Sequence, residues 1–512
     1  MKIRKKQRML GGLLTLVLLS ALIAGCSGNK EENQGEARGG KAGDGAPTEI
    51  SIMLPSAAVT PPKEGNEVQR EIEKQTNTKL HIQWVSGAYE DKANVTLASG
   101  ELPDLMTIKS PDIFGNVFRT MTQQGAFWDI APYIKDYPNI SKLPQAIWDK
   151  VTMDGKIYGV PRPRALEGAT FYVIRQDWLD NLGLAMPTNQ EELFKVWEAF
   201  TFDDPDQNGK DDTIGFAGSL GHVEVMSNLF TKASGIYGSV TAQWKLQDDG
   251  KLINTALLPS LRDSLVMMRK AIEEKLVPED AVTIKSEQIN NLFISGKAGT
   301  KLDKSFSNYK NELELRKVDP NAVIVPIPVL NGYAPQDLGF LNMIAISKKV
   351  PEAKMKKLLA FLDYGLSDEA YDLAQWGIKD IHYTEENGER TKTDRYTSDS
   401  ISDYLNLIYQ YDRYGNTTRP NMPDDMKAML EKTVEEKEKV SVPDYSFGLV
   451  SETNLTAGVE LSKKIDDMKT KVLLGKESME AWDTFVEDLK VNPDLIKITD
   501  ELNAALQELK GK

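Results

Sequence analysis

The spacing of apolar side chains changes several times near the start of the folded part of the chain. Residues 49–54 alternate between apolar and polar positions, residues 66–75 repeat apolar positions at helical spacing, and residues 80–85 alternate again. Strand, helix and strand in this order predict a βαβ unit with parallel strands. A helix at about 89–98 and a short strand at 105–108 are predicted next.

The remaining pattern continues this mixture of strands and helices and contains no internal repeat. It predicts strands at 323–326 and 341–346, helices at 189–200, 261–274, 286–293, 352–364 and 367–374, and mostly helix from residue 424 onward. Strands that are interleaved with helices favour an α/β fold.

One segment, residues 154–184, is expected to organise the molecule. A strand-like run at 157–160 stops at Pro161, which cannot donate a hydrogen bond to a sheet, and a second run follows at 171–174. Asp177 then has the position of an N-cap before a helix. Strand, irregular loop, strand and helix would carry the chain from one lobe to another beside a cleft. We therefore interpret this segment as the hinge and floor of a binding site.

The candidate ligand-binding residues are cationic or aromatic. Arg162 and Arg164 flank a proline in the expected irregular loop, where a guanidinium can grip a carboxylate or sugar hydroxyls; a salt bridge is the alternative for each. Trp376 follows a helix and could stack on the C–H face of a sugar, or could cap that helix as a core residue. The weaker candidates are Tyr172, Tyr237 and Tyr383.

Residues 204–215 form an acidic loop with the spacing of a calcium site. Counted from Asp204, oxygen-bearing side chains occupy positions one, three, five and nine, and Gly209 occupies position six, where such a loop turns sharply. The expected ligands are Asp204, Asp206, Asn208, the backbone carbonyl of Lys210, and Asp212. Position twelve is Gly215 instead of a bidentate glutamate, so Asp212 or Thr213 would complete the shell. A solvated acidic turn is the alternative.

The first 25 residues have the features of a secretory signal peptide. A basic stretch at 1–8 precedes an apolar run at 9–24, which is shorter than the roughly 20 residues that span a bilayer. The small residues before Cys26, the only cysteine in the chain, resemble the bacterial lipobox. This predicts palmitate-type acylation of Cys26 and anchoring at the extracellular face of the cell membrane; a cleaved signal with an incidental cysteine is the alternative. Residues 26–47 are expected to form a flexible tether.

Charge and missing motifs narrow the possible functions. The formal net charge is −14, and because residues 1–25 hold five basic side chains and no acid, the remainder carries −19. Nucleic acid is therefore not an expected partner. The three histidines, His81, His222 and His382, are far apart in the sequence, and no Walker A loop, H-E-x-x-H or G-x-S-x-G sequence is present. We expect no enzymatic activity.

Several stretches, in their order and spacing, resemble the family 1 extracellular solute-binding proteins of bacterial ABC importers. They are residues 99–104 (SGELPD), 125–130 (GAFWDI), 154–161 (DGKIYGVP), 293–299 (FISGKAG) and 349–377, which includes SDEAYDLAQWG. The length of 512 residues and the calcium-type loop resemble the long branch that includes binders of oligosaccharides and uronate polymers. The resemblance implies that the loop holds a structural Ca²⁺ ion, as similar loops do in that branch.

The resemblance implies a two-lobe, periplasmic-binding-protein-like (type II) α/β fold, with hinge-crossing strands and a cleft between the lobes. Lobe 1 would comprise residues 48–165 and 340–395, and lobe 2 residues 166–339 and 396–512. The implied function is a lipid-anchored, monomeric subunit that closes on an oligosaccharide, possibly one containing uronic acid, and delivers it to a membrane permease. Trp376 would lie near the cleft. A peptide receptor, a surface-anchored glycan-degrading enzyme and an adhesion lipoprotein are the alternatives.

Overall fold

The structure is a computed structural model that describes residues 45–167, 170–234, 242–304, 307–415, 417–419 and 422–510. The expected signal peptide, Cys26, most of the expected tether and Tyr237 lie outside the described residues. In the part of the chain that is described, no helix combines the length and the apolar character needed to cross a membrane.

The strands are short and occur along most of the described chain. They are β1 (Thr48–Ser56), β2 (Thr78–Ser86), β3 (Leu105–Lys109), β4 (Gly159–Pro163), β5 (Thr170–Arg175), β6 (Ile214–Ala217), β7 (Trp244–Leu246), β8 (Leu252–Asn254), β9 (Ala298–Lys304), β10 (Ile324–Pro326), β11 (Ala334–Pro335), β12 (Phe340–Ile346), β13 (Tyr383–Glu386), β14 (Glu389–Lys392) and β15 (Ser441–Val442). The strands predicted from the apolar alternation are all present, with small shifts at their ends.

The helices separate these strands and fill the C-terminal part of the chain. They are α1 (Glu67–Thr76), α2 (Tyr89–Ser99), α3 (Asn116–Gln123), α4 (Gln145–Val151), α5 (Gln176–Leu182), α6 (Gln190–Phe202), α7 (Leu220–Val225), α8 (Ser227–Thr231), α9 (Pro259–Glu273), α10 (Ser286–Ile294), α11 (Asn308–Leu315), α12 (Glu352–Tyr364), α13 (Asp368–Trp376), α14 (Asp394–Ser398), α15 (Asp424–Glu438), α16 (Val459–Leu473), α17 (Met479–Lys490) and α18 (Pro493–Lys510). The predicted helices, including the mostly helical region after residue 424, are confirmed.

The first sheet combines strands from two distant parts of the chain in the order β2-β1-β3-β12-β4. β1 and β2 run parallel with α1 between them, which confirms the predicted βαβ unit. β12 runs antiparallel to both β3 and β4. The chain thus returns to the first sheet after leaving it, so this lobe is discontinuous in sequence.

The prediction that the strand before the arginines ends at Pro161 is wrong. β4 continues through Pro161 and Arg162 and is the last strand of its sheet, where it pairs with β12. A proline is tolerated in an edge strand because its missing N–H need not face a partner. Arg162 is consequently held on a strand and not in an irregular loop, whereas Arg164 lies just beyond the strand.

The core of the first lobe includes a segment that the resemblance assigns to lobe 2. Side chains from the first sheet, α1, α2, α4 and α12 form most of this core. Buried side chains from residues 396–409, among them Ile401 and Tyr404, pack in the same core. Asp403 also accepts hydrogen bonds from Ser56 Oγ at 2.5 Å and from the next backbone N–H at 3.2 Å, at the end of β1. The boundary expected at residue 396 is therefore wrong and lies beyond residue 409.

The second sheet has the order β10-β5-β9-β6 and is covered on both faces. Tyr172 and Ile174 of β5 pack in one apolar cluster, whereas Phe171 and Val173 pack in another. This alternation follows from the strand geometry, in which successive side chains point to opposite faces. The helices α6, α9, α16, α17 and α18 contribute to the first of these two clusters, so the C-terminal helices belong to the second lobe.

Arg175 and Asp177 form a buried ion pair at the start of α5. The helix begins at Gln176, so Asp177 lies in its first turn and the prediction that it is the N-cap is wrong. Asp177 accepts hydrogen bonds from Arg175 Nε at 2.8 Å and Nη2 at 2.5 Å, and Asp319 accepts one from Nη2 at 2.5 Å. The guanidinium also lies 4.7 Å from the ring centre of Trp178. The two carboxylates compensate the desolvation of this arginine.

Candidate functional site

The chain passes from one lobe to the other at the segment that the sequence singles out. β4 belongs to the first sheet and β5 to the second, which confirms that residues 154–184 cross between the lobes. A second crossing leads from β10 in the second sheet back to β12 in the first. A third leads from Tyr409, in the first core, to α15, whose Val434 packs against the second sheet.

The crossing segments are hydrogen-bonded to one another. The N–H of Arg164 donates to the carbonyl of Gly339 at 2.7 Å, and the N–H of Asp337 donates to the carbonyl of Leu166 at 2.5 Å. The second crossing in turn pairs with the chain that follows α15, because β11 and β15 run parallel. These bonds join the crossings into one unit at the hinge.

Asp337 brings charge into this unit. Its carboxylate is 3% exposed and lies 3.5 Å from Arg164 Nη2. Lys150 Nζ donates to the carbonyl of Asp337 at 2.9 Å and to Gln336 Oε1 at 3.1 Å. Burial raises the pKa of Asp337 and Arg164 partly offsets the effect, whereas burial lowers the pKa of Lys150 to about 8. Arg164 therefore has the salt-bridge role that the sequence analysis gave as its alternative.

Lys437 is a second buried cation at the crossings. Its Nζ donates to the carbonyl of Thr170 at 3.2 Å and lies 4.1 Å from the ring centre of Phe171. Burial lowers the pKa of Lys437 to about 8, although the negative charges of Glu167 and Asp337 oppose the shift. The hinge region thus holds lysines whose charged forms are disfavoured by burial.

Arg162 reaches the carboxyl edge of the first sheet. Its Nη1 donates to Asn406 Oδ1 at 3.0 Å, and Asn406 Nδ2 donates to the carbonyl of Pro55, near the end of β1, at 3.0 Å. Burial lowers the pKa of Arg162, and the phenols of Tyr409 and Tyr371 act against that shift. Ligands of open α/β sheets bind at the carboxyl ends of the strands. A half-buried cation bonded to a neutral amide at this edge can bind an anionic or hydroxyl-bearing ligand.

Trp376, at the end of α13, belongs to a group of rings and cations. It packs edge-to-face on Tyr383 with ring centres 5.8 Å apart, and Arg390 lies 5.6 and 5.1 Å from these two ring centres. Lys392 Nζ lies 5.4 Å from the ring centre of Trp376 and 3.6 Å from that of Tyr396. Trp376 is only half-buried, so part of its ring is accessible.

Tyr371 lies near enough to both Arg162 and Tyr396 to affect the pKa of each. Its hydroxyl accepts a hydrogen bond from Gln375 Nε2 at 2.7 Å. It adds to the effect of burial, which raises the pKa of Tyr396 to about 12, and it also acts on Arg162. We name the resulting set the cationic–aromatic surface: Arg162, Tyr371, Trp376, Lys392 and Tyr396. The sequence analysis selected Arg162 and Trp376 but missed the others; the cluster of cations and rings at 390–396 is the sequence signal for Lys392 and Tyr396, and Tyr371 has none.

The two described tyrosines that were predicted to contact the ligand, Tyr383 and Tyr172, are almost completely buried. Tyr383 is 7% exposed beneath Trp376 and Arg390, and Tyr172 is 9% exposed within the second lobe. The Tyr172 hydroxyl is buried without a hydrogen-bond partner among the described residues, and it borders a cavity of about 60 Å³ that Tyr333 and Lys437 also line. Direct ligand contact by either tyrosine remains a prediction.

A larger polar cavity of about 290 Å³ lies in the second lobe between α7, α9 and α16. Glu224, Asn254, Asp466 and Lys469 are among its lining residues. Lys469 Nζ lies 2.7 Å from Asp466, and burial raises the pKa of Glu224. The second lobe thus offers a recess whose groups can hydrogen-bond to hydroxyls.

The acidic loop folds around its own carboxylates. Asp204 accepts hydrogen bonds from the N–H groups of Asn208 at 3.1 Å and Gly209 at 3.0 Å, and the Asn208 side chain bonds Asp206 at 2.7 Å and Asp212 at 3.3 Å. Burial raises the pKa of Asp206, and the neighbouring carboxylates raise it further. The accumulation of negative oxygen ligands fits a hard cation such as Ca²⁺. Asp212 already pairs with Lys297 Nζ at 2.6 Å.

His382 belongs to a different group of possible metal ligands in the described residues. One ligand atom each from Glu67, His382 and Asp399 lies within 4.8 Å of the others. However, the N–H of Ile378 donates to His382 Nδ1 at 3.0 Å, so the proton of the neutral ring is on Nε2, which faces Asp399 at 3.4 Å. Arg395 already bonds Asp399 at 2.7 Å and lies 3.6 Å from Glu67. The arrangement is that of a structural ion-pair network.

Two α/β lobes, joined by crossing strands beside a sheet edge that carries cations and aromatic rings, define a two-lobe solute-binding protein. The chain belongs to the bacterial extracellular solute-binding protein family, whose model matches residues 60–372.

Relatives from Bacillus subtilis (strain 168) match almost the entire chain. The polygalacturonan/rhamnogalacturonan-binding protein YtcQ is 33% identical over 489 residues, which are 93% of this chain and 94% of the relative. Lipoprotein LipO is 28% identical over 509 residues, which are 95% of this chain and 96% of the relative.

Solved structures share the fold at low sequence identity. An HMO-binding, ABC-transporter-associated solute-binding protein from Bifidobacterium longum infantis has a TM-score of 0.70 at 18% identity, over 91% of this chain and all of the other. The alginate-binding protein AlgQ2, in a crystal structure without calcium ion, has a TM-score of 0.62 at 20% identity, over 90% and 98% of the two chains. These similarities confirm the two-lobe fold.

Proposed function

We propose that this chain is the substrate-binding subunit of an ABC importer and that it captures an oligosaccharide with carboxylate groups, such as a uronide. The observation that carries this proposal is the cationic–aromatic surface at the carboxyl edge of the first sheet. In a chain of net charge −14, Arg162 and Lys392 have no carboxylate within 4.0 Å among the described residues. The binding of polygalacturonan and rhamnogalacturonan that the name of YtcQ states supports an acidic sugar.

Each part of the surface suits one feature of such a ligand. The indole of Trp376 can cover the apolar C–H face of a pyranose ring. The guanidinium of Arg162 can donate two parallel hydrogen bonds to a carboxylate or to neighbouring hydroxyls. The polar cavity that Glu224 and Asp466 line offers partners for hydroxyls in the second lobe.

Capture requires a difference between open and closed forms. A ligand that contacts both lobes stabilises the closed form, because only that form makes both sets of contacts. The bonded crossing segments around Arg164 and Asp337 would act as the hinge for this closure. The closed complex would then dock, as a monomer, on a membrane permease and release the sugar chemically unchanged.

The test is isothermal titration of the chain without signal peptide and acylated cysteine, residues 27–512, with trigalacturonate, with a neutral trisaccharide and with peptides. Wild type should bind trigalacturonate without forming products. Trp376→Ala should lower that affinity about ten-fold or more, because the ring contact is lost. Trp128→Ala, which removes a half-buried ring beside Ile346, at the opposite end of the sheet where β3 begins, should leave the affinity unchanged. Binding of peptides alone, or cleavage of the sugar, would refute the proposal.

We also propose a structural Ca²⁺ ion in the acidic loop, with Asp204, Asp206, Asn208, the carbonyl of Lys210 and Asp212 as ligands. The converging carboxylates and the raised pKa of Asp206 support a cation at this place. The mention of a calcium ion for AlgQ2 agrees with such a site. The ion would fix the loop between α6 and β6, in which the Thr213 hydroxyl bonds the carbonyl of Phe200 at 2.8 Å.

Lipid anchoring through Cys26 completes the proposal. The relative LipO is named a lipoprotein, and the residues before Cys26 have the lipobox pattern. Cys26→Ser should move the protein from the membrane fraction to the medium, as measured by immunoblot of fractionated cells. Retention of the variant in the membrane fraction would contradict the anchor.

A further inference from the structure

Lys392 differs from the other cations around Trp376 in its surroundings. In the hairpin of β13 and β14, Lys392 lies opposite Tyr383, and Arg390, two residues earlier, lies opposite Glu385. Arg390 is paired with Asp372 at 2.5 Å and approaches Glu385 at 3.9 Å. Lys392 has no carboxylate within 4.0 Å among the described residues, and its neighbours are the rings of Trp376 and Tyr396.

The positive charge of Lys392 therefore has no acidic partner among the described residues. Its side chain is exposed, but partial desolvation by the adjoining rings lowers its pKa. Aromatic faces attract a cation more weakly than a carboxylate does at the same distance. An anion that arrives from solution would gain a direct partner without having to displace an acid of the chain. Arg390, by contrast, would first have to leave Asp372.

The distances allow one ligand to use both the ring and the charge. The apolar face of a sugar that packs on an indole lies about 4 Å above it. Nζ lies over the indole at 5.4 Å from its ring centre, so a sugar that covers the adjoining part of the same face would bring a carboxylate at its edge within salt-bridge distance of Lys392. A neutral sugar could stack in the same place but would leave the charge without a partner.

We infer that Lys392 is the residue that selects acidic over neutral oligosaccharides, by pairing with the carboxylate of a sugar ring that stacks on Trp376. The inference rests on the proposed function and adds a specificity-determining residue to it. Arg162 is bonded to Asn406 at the sheet edge and forms no ring contact with Trp376 in the described structure, so it is not expected to replace this contact.

The experiment compares two ligands that differ only in charge. Trigalacturonate and the same trisaccharide with its carboxylates reduced to alcohols are titrated calorimetrically into the mature wild type, Lys392→Met and Lys392→Arg. Methionine keeps an unbranched apolar chain over Tyr396, so packing is largely preserved while the charge is lost. The matched control is Lys379→Met, because Lys379 belongs to the same region and already pairs with Glu385 at 3.3 Å.

Lys392→Met should lower the affinity for trigalacturonate about ten-fold or more and leave the affinity for the reduced trisaccharide within about two-fold. It should also weaken the salt dependence of trigalacturonate binding, and Lys392→Arg should restore most of the affinity. An equal loss for both sugars, or no loss for the acidic one, would overturn the selecting role while the proposed function stands. Wild type that binds neither sugar would instead overturn the proposed ligand class, and the role of Lys392 with it.

Discussion

Arg164 Nη2 lies 3.5 Å from the carboxylate of Asp337, and these two residues stand on different segments that cross between the lobes. The ion pair reinforces the backbone hydrogen bonds that already join the same segments at Gly339 and Leu166. A charged contact at this place stabilises the hinge. Its loss should therefore lower the free energy of unfolding more than it lowers the affinity for ligand.

Arg164→Met should lower the free energy of unfolding at pH 7 by about 1–3 kcal/mol, because the buried carboxylate of Asp337 would lose its ion-pair partner and keep only the weaker influence of Lys150. Burial already raises the pKa of Asp337. Without Arg164 its ionised form becomes still less favourable, so the loss should shrink at low pH, where the carboxyl is protonated. Urea unfolding at pH 7 and pH 4.5 measures both effects.

The double variant Arg164→Met/Asp337→Asn tests the cause of that loss. It should recover most of the stability, since the uncompensated charge is gone. Arg262→Met is the matched control, because Arg262 and Asp483 form an exposed pair whose loss should cost less than about 1 kcal/mol. If the double variant were no more stable than Arg164→Met, the ion pair would not explain the effect.

Stability should rise with pH through Lys437. Burial lowers the pKa of Lys437 to about 8 in the folded protein, whereas in the unfolded chain the lysine has its ordinary pKa of 10.5. Between these values the unfolded chain binds more protons, so the free energy of unfolding increases as pH rises, by at most about 1.4 kcal/mol per pH unit. The free energy of unfolding does not depend on pH through Lys437 well below pH 8, because there the side chain is charged in both the folded and the unfolded state.

The difference between wild type and Lys437→Met isolates this effect. Urea unfolding at pH 7.0, 8.5 and 9.5 should give a flatter profile for the variant, which carries no titrating group beside Thr170 and Phe171. Lys439→Met, at an exposed position two residues later, should follow wild type. Parallel profiles for wild type and Lys437→Met would contradict the lowered pKa.

The sequence predicts elements well and their placement less well. Periods of two and 3.6 located about half of the strands and most of the helices, because each amphipathic face must be buried whatever it packs against. The period does not reveal which core a face enters, and for this reason residues 396–409 were expected in the second lobe although they pack in the first. Pro161 was expected to end a strand because its tolerance depends on a tertiary fact, the edge position of β4.

The candidate site was predictable only where a residue type is rare. Trp376 and Arg162 stand out by their chemistry and their neighbours in sequence, and the structure places both on the cationic–aromatic surface. Lys392 is one of 62 basic side chains, and what distinguishes it is its place beside the rings of Trp376 and Tyr396 with no carboxylate near it in the described structure. Arg175 likewise carries no sequence signal for burial, since Asp319, one of its two partners, is 144 residues away.

Arg175→Met should be strongly destabilising. The arginine side chain is 1% exposed and compensates Asp177 and Asp319, which are 15% and 31% exposed. Removing one partner of a buried ion pair typically costs about 3–5 kcal/mol. Urea unfolding should show this loss, and the additional change Asp177→Asn should restore part of it. If Arg175→Met lowered the free energy of unfolding no more than Arg262→Met does, the burial of the Arg175 ion pair would not increase its contribution to stability.

If the acidic loop binds calcium, the effect of Asp206→Asn on stability should change sign when calcium is added. Burial and the carboxylates of Asp204 and Asp212 raise the pKa of Asp206, so without a cation its ionised form is unfavourable. Asp206→Asn should therefore be more stable than wild type in excess chelator. With calcium at 100 times the dissociation constant, wild type should gain about 2.7 kcal/mol, and the variant, which has lost a charged ligand, should gain less.

Thermal unfolding of both proteins in chelator and in millimolar calcium measures this reversal. Wild type should melt at a lower temperature than Asp206→Asn in chelator and at a higher temperature in calcium. Without the ion the negative charge of Asp206 is repelled by its neighbours, whereas with the ion bound the same charge attracts Ca²⁺. Asp211→Asn is the control: it removes the same charge from an exposed neighbour outside the ligand set, and its response to calcium should match that of wild type. Melting temperatures that do not change with calcium would contradict the calcium site. The loop would then be a solvated acidic turn, stabilised by the contact between Lys297 and Asp212.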